Sequence, residues 1–111
     1  MTIQNIFNDI PWPEWDKIDK ARLKKEDVDS AEEFREKGAI PAAWLMAQMG
    51  LLGYKIGSAS VSEDDGNSFI IGENTAKDHI FQLLSYIKQQ IRDRISVQMN
   101  ETAEFKAQYM P

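Results

Sequence analysis

Apolar residues along this chain follow two different spacings. Ile80, Leu84, Ile87, Ile91 and Ile95 recur at intervals of 4, 3, 4 and 4. That is a helical period, and it predicts one long amphipathic helix from about residue 76 to Gln98. Thr75 supplies a cap-like residue and Asp78 an acid three positions later. Upstream, Tyr54, Ile56, Val61, Phe69, Ile70 and Ile71 are strand formers around the turn-forming run Glu63-Asp64-Asp65-Gly66-Asn67. This reads as a β-hairpin of 54–62 with 68–72, its first strand weakened by Gly57 and Ser58-Ala59-Ser60.

The first half is more broken. Ile3, Ile6, Phe7 and Ile10 are compatible with a short helix that Pro11-Trp12-Pro13 ends. A helix is predicted from Pro13 or Glu14 to about Glu26, with Glu14 and Asp16 at its positive end. Ser30-Ala31-Glu32-Glu33 has capping-box form and predicts a helix over 31–37, which Gly38 can terminate in the left-handed conformation. Pro41 opens another helix, 41–52, apolar on nearly all sides and therefore the centre of the core, with Trp44 in it. Together these elements predict a mainly α (α+β) fold, with about four helices and one short β-hairpin near residues 54–72 packed on them. One domain is expected over 1–111, with an N-terminal docking arm (1–13) and a C-terminal tail (100–111).

Composition narrows the chemistry. With 111 residues and 42% hydrophobic content the chain can build a core without staples, and its lack of cysteine excludes disulfides and thiolate metal sites. A Cys-free chain with no basic leader and no spanning apolar run is expected in the cytoplasm and off the membrane. The net charge of −5 opposes phosphate binding. The basic run Lys17, Lys20, Arg22, Lys24 and Lys25, with Trp12 and Trp15 near its start, is the exception. On one helix these residues would offer a nucleic-acid face, but Asp16, Asp19, Glu26, Asp27 and Asp29 favour a solvated, salt-bridged one.

Catalytic signatures are absent. His79 is the only histidine, and Gly57-Ser58-Ala59-Ser60 lacks the second glycine of a nucleophile elbow. Zinc and di-iron ligand patterns do not occur. Asp64-Asp65-Gly66-Asn67 fails as a calcium loop, because the position that should hold the first ligand is Val61. Gly50, Gly53 and Gly57 match no phosphate-binding fingerprint. The Asn100-Glu101-Thr102 sequon carries no weight in a cytosolic chain. No catalytic, cofactor-binding or metal-binding residue is therefore assigned.

What remains is a non-enzymatic protein–protein interaction module: an adaptor, assembly factor, small subunit or inhibitor. Its expected contact residues are Trp12, Trp15, Ile87, Ile91, Ile95, Phe105 and Tyr109, meeting another protein or a second copy. An acidic patch of Glu63, Asp64, Asp65 and Glu73, unrelieved by any basic residue between Ile56 and Ala76, would steer a basic partner or keep a turn soluble. Three alternatives stand beside this: an acidic decoy of a nucleic-acid-binding protein, an enzyme with an unfamiliar carboxylate-only site, and a weak nucleic-acid binder through 17–25.

Overall fold

The computed structural model describes residues 1–110. Helix accounts for 46% of the chain and strand for 15%, and the strands are not one hairpin. β1 (Thr2–Ile3), β4 (Lys55–Ile56), β5 (Ala59–Val61) and β6 (Phe69–Ile71) form a four-stranded antiparallel sheet in the order β1-β6-β5-β4. β2 (Ile10–Pro11) pairs with β3 (Ala39–Ile40) in a separate two-stranded ribbon. The mainly helical reading with a single hairpin is thus corrected to an α+β fold.

The physical reason lies in two short signals. Gly57, at φ +59°, and Ser58 make a two-residue turn with glycine first, which pairs Ile56 with Ala59 and Lys55 with Ser60. That glycine creates a second hairpin where it seemed only to weaken a strand. At the other edge Ile3 pairs with Phe69 and Thr2 with Ile70, so the start of the chain is a strand, not a helix. Ala59, Val61, Phe69, Ile71 and Ile3 turn inward while Ile70 faces out, the alternation of a sheet with one buried face.

α4 (Lys77–Ile95) covers that face with Ile80, Leu83, Leu84, Ile87, Ile91 and Ile95, all buried. The expected stripe is therefore present, and each such side chain contributes about 1.5–3 kcal/mol on burial. The helix stops at Ile95, short of Gln98, because Ser96 takes the left-handed conformation at φ +59°. Its N-cap, Ala76, makes no side-chain cap; the Thr75 hydroxyl donates to the Gly72 carbonyl instead, at 2.6 Å.

Residues 12–38 form short pieces in place of two helices. α1 (Trp12–Asp16) ends where Lys20 folds back, its ammonium donating to the carbonyls of Trp15 and Asp16 at 3.0 and 3.1 Å. A 3₁₀ turn at Lys20–Arg22 follows, then α2 (Lys25–Ala31) and a second 3₁₀ turn at Glu32–Phe34. Ser30 lies inside α2 and caps nothing. Gly38 does end this stretch at φ +80°. α3 (Ala42–Gln48) is shorter than expected; it buries Ala42, Leu45 and Met46 but leaves Ala47 and Gln48 exposed. Trp44 is half-buried, edge-on to both Trp15 and Phe34. α5 (Ala103–Tyr109) is a separate helix capped by Thr102. No helix among the described residues is long and apolar enough to cross a membrane.

Candidate functional site

After α4 the chain becomes extended, and its residues alternate: Val97, Met99 and Glu101 are buried while Ser96, Gln98 and Asn100 are exposed. The period-two pattern begun by Ile95 thus carries a carboxylate into the interior. Among the described residues Glu101, 5% exposed, is the only buried carboxylate. A buried carboxylate is costly unless it is paired. Lys88 on α4 pairs it, its Nζ donating to Glu101 Oε1 at 2.9 Å. Burial pushes the Glu101 carboxyl up. The Lys88 hydrogen bond, the backbone amide of Glu101 itself and the charges of Lys88 and Lys106 outweigh that and hold it below its ordinary value. Glu101 is therefore an anion at neutral pH, held against the Lys88 side chain.

Segment 5–8 lies between Glu101 and the turn before β6. On one side, the Phe7 amide donates to Asn67 Oδ1 at 2.8 Å, Asn67 Nδ2 donates to the Phe7 carbonyl at 2.9 Å, and the Ile6 amide donates to the Asn67 carbonyl at 3.2 Å. One asparagine side chain thus replaces a strand neighbour. On the other side, the Asn8 amide donates to the Asn100 carbonyl and the Thr102 amide to the Ile6 carbonyl, both at 2.8 Å. Asn8 Nδ2 donates to the Glu101 carbonyl at 3.3 Å. The Thr102 hydroxyl donates to the Asn5 carbonyl at 2.9 Å and accepts from the Phe105 amide at 3.1 Å, so one group joins the seam and starts α5.

A groove opens along the outer side of this seam. Two adjoining cavities share Glu14, Gln98 and Asn100. One, of about 480 Å³, adds Lys17, Asp19 and Ser96. The other, of about 150 Å³, adds Asn8 and Asp9. Asp9 is fixed from behind, because its Oδ1 accepts the Ala42 amide of α3 at 2.9 Å. Carboxamides, carboxylates and one ammonium make this rim suited to a ligand rich in hydroxyl and amide groups. No group of three His, Cys, Asp or Glu side chains among the described residues could hold a metal.

The expected contact residues fall elsewhere. Trp15, Ile87, Ile91, Ile95 and Phe105 are between 0% and 3% exposed, inside the chain's own core, where no partner reaches them without opening it. Trp12 and Tyr109 are half-buried, Trp12 under the Arg35 guanidinium and Tyr109 tilted against Phe105. Glu63, Asp64, Asp65 and Glu73 are exposed, and Asp65 also braces its own turn, since its carboxylate accepts from the Asn67 amide and the Ser68 hydroxyl. The acidic turn thereby holds Asn67 against Phe7. The basic helix 17–25 does not exist as one face, since those residues are spread over the end of α1, a 3₁₀ turn and the start of α2. His79 packs beneath Gly57, where a Cβ would overlap its imidazole, and its buried Nδ1 has no hydrogen-bond partner.

Sequence reasoning missed Glu101, Lys88, Asn67, Asn8 and Asn100. The available signal was the alternation Ile95, Val97, Met99, Glu101, which points the glutamate inward; extending the helix to Gln98 concealed it.

Comparison with known proteins places this geometry in context. The family described as UDP-N-acetylenolpyruvoylglucosamine reductase, C-terminal domain, matches residues 7–105. The chain is similar to the UDP-N-acetylenolpyruvoylglucosamine reductase of Trichormus variabilis, 40% identical over 65 residues, covering 58% of this chain and 19% of that protein. It is also similar to UDP-N-acetylenolpyruvoylglucosamine reductase 1 of Bacillus anthracis, 35% identical over 71 residues, or 64% and 24% of the two chains. The Francisella tularensis reductase is 30% identical over 67 residues, or 60% and 24%. The chain spans about a fifth to a quarter of the length of these relatives. These matches correct the expectation of a non-enzymatic interaction module and its nucleic-acid alternatives: the similarity is to a domain of an enzyme. A search for a self-contained catalytic set fails on a domain whose relatives are several times longer.

Proposed function

The chain belongs to the family of UDP-N-acetylenolpyruvoylglucosamine reductase C-terminal domains, and from that premise we propose that it serves as one domain of a reductase acting on UDP-N-acetylenolpyruvoylglucosamine. On this reading the seam of residues 5–9 and 98–102 is its contribution to the site. The observation that carries the reading is that the matched stretch, 7–105, includes the one carboxylate buried among the described residues, its Lys88 partner and the groove rim. Saturating an enolpyruvoyl double bond takes a hydride equivalent on one carbon, from a hydride-donating reductant, and a proton on the other. This chain's side chains bear on binding and on the proton. Asn8, Gln98 and Asn100 offer amides to the hydroxyl and acyl groups of an amino sugar. Lys88 Nζ donates to Glu101 Oε1 at 2.9 Å, so each side chain fixes the other in place. The absence of cysteine fits a reducing cytoplasm as its location.

A chimera tests this. Residues 7–105 replace the matched region of the Trichormus variabilis reductase, and enolpyruvoyl reduction is compared with that of the same protein lacking the region. Activity restored by the chimera and lowered at least tenfold by Glu101→Gln is expected. A folded chimera no better than the deletion overturns the proposal. In parallel, amide shifts of the 111-residue protein titrated with UDP-N-acetylenolpyruvoylglucosamine should move at Asn8, Asn100 and Glu101.

A further inference from the structure

α4 buries one face and leaves the opposite one uncovered. On that outer face Asp78, Gln82, Ser85, Gln89 and Arg92 are exposed and recur at intervals of 4, 3, 4 and 3, which sets them in a single stripe along the helix. Only the two ends of the stripe are charged. From 79 to 91 the one Lys, Arg, Asp or Glu is Lys88, and it is turned to Glu101. In a chain in which 28% of residues are charged, that is the composition of an interface core with a charged rim, not of a solvated helix face. Half-buried Ile56, Phe81 and Tyr86 add apolar area to the same surface, around a shallow cavity of about 490 Å³. Tyr86 is stacked on Tyr54 with ring centroids 4.2 Å apart, so it is already ordered and loses little freedom when covered.

The stripe is complementary to itself. Ser85 is its midpoint and its smallest side chain, with Asp78 seven residues before it and Arg92 seven after. When two copies meet antiparallel about a two-fold axis at Ser85, Asp78 faces the partner's Arg92 and Gln82 faces the partner's Gln89, once on each side of the axis. A parallel pairing sets Asp78 against the partner's Asp78 and Arg92 against the partner's Arg92, so charge selects the antiparallel one. Both charges are available for this. Among the described residues the ion pairs are Arg35–Glu32 and Lys88–Glu101, and neither Asp78 nor Arg92 takes part in one. A serine at the crossing point lets the two helix axes approach to about 8 Å.

We propose that the outer face of α4 is a homodimer surface, packed on α4 of a second copy in antiparallel register about Ser85. It lies opposite the isoleucine stripe that the sequence offered for such a contact, and it does not rest on the reductase reading.

Sedimentation equilibrium of the 111-residue protein tests it. One helix pair covers less than the about 800 Å² per partner of a standard interface, so a reversible, weak monomer–dimer equilibrium is expected, visible between about 10 µM and about 1 mM protein and weakened by salt. Asp78→Arg sets a cation against the partner's Arg92 on both sides of the axis and should weaken association by about tenfold or more, as should Arg92→Asp. Asp78→Arg/Arg92→Asp should restore it to within about threefold, a rescue that damage to the fold would not produce. Both positions are exposed, and circular dichroism checks that the helix is retained. Because the chain has no cysteine, Ser85→Cys supplies a single thiol at the axis, where the Cα atoms come within the about 4.4–6.8 Å that a disulfide needs. It should oxidise to a covalent dimer well ahead of Asp64→Cys, which is exposed on the turn at 63–67. A chain that stays monomeric over the whole range leaves the face to another protein or to water and overturns the proposal. So does a dimer that ignores the single charge changes or is not restored by the double one, or equal cross-linking at both cysteine positions. None of these outcomes bears on the chimera's activity.

Discussion

The layer of α4 on the four-stranded sheet and the seam around Phe7 are both interior, but they are held in different ways. The layer is apolar and repetitive: α4 offers a stripe at helical spacing, the sheet offers one at alternate positions, and β5 meets β6 across a short turn. The seam is polar and non-repetitive. Its links join Phe7 to Asn67, Asn8 to Glu101 and Asn5 to Thr102, separations of 60, 93 and 97 residues. Periodic burial provides stability from many weak, interchangeable contacts. A seam made of single amides is specific, and each of its bonds fails alone. Groups that bind a ligand in a fixed orientation belong on the second kind of structure, supported by the first.

Substitutions separate the two. Ile87→Ala should have the largest effect, about 2–5 kcal/mol, because Ile87 is fully buried in the layer and leaves a void. Denaturant unfolding should show one shifted transition, with amides throughout the molecule exchanging faster. Asn67→Ala should cost about 1–3 kcal/mol by leaving the Phe7 amide and carbonyl unpaired. Here hydrogen exchange should accelerate first at Ile6, Phe7 and Asn8 while the amides of α4 stay protected; uniform loss of protection would mean that seam and layer form one cooperative unit.

Glu101→Gln should cost about 1 kcal/mol, since Lys88 keeps some access to water. Its clearer mark is on pH dependence. The folded-state pKa of Glu101 is lowered, so its stabilising contribution is complete above the ordinary value of 4.5 and is lost as pH falls through the lowered folded value. Acid unfolding of the variant should lack that component and be flatter below 4.5. The smallest effect is a gain: Ser96→Gly should stabilise by about 0.5–1 kcal/mol, because Ser96 sits at φ +59°, where glycine is unstrained. A rise in melting temperature checks it.

The layer was legible in the sequence because each of its elements repeats. The α4 stripe, the turn at 63–67, the β5–β6 hairpin and the glycine stop at Gly38 all follow from local patterns. Only the reach of the sheet was not: β4 rests on a two-residue turn, and β1 on a strand too short to show a period. Residues 12–38 misled because Lys20 ends a helix by bonding carbonyls behind it, a tertiary choice that helix propensity does not encode. The seam was least legible. Asn67 reads as a turn residue and Glu101 as surface charge until Phe7 is seen between them. The long isoleucine stripe suggested an interface because nothing in one dimension shows that the sheet and the 3₁₀ turn at Lys20–Arg22 already pack against that helix.

Asp9 adds a consequence for whatever occupies the groove. Its carboxylate stands on the rim and also satisfies the first free amide of α3. A ligand that draws Asp9 away would strip that helix of its acceptor and forfeit about 1 kcal/mol of its own affinity. Occupants that leave Asp9 in place escape this loss, so the helix acts as a filter on how a molecule lies in the groove, favouring poses that approach from Asn8 and Asn100.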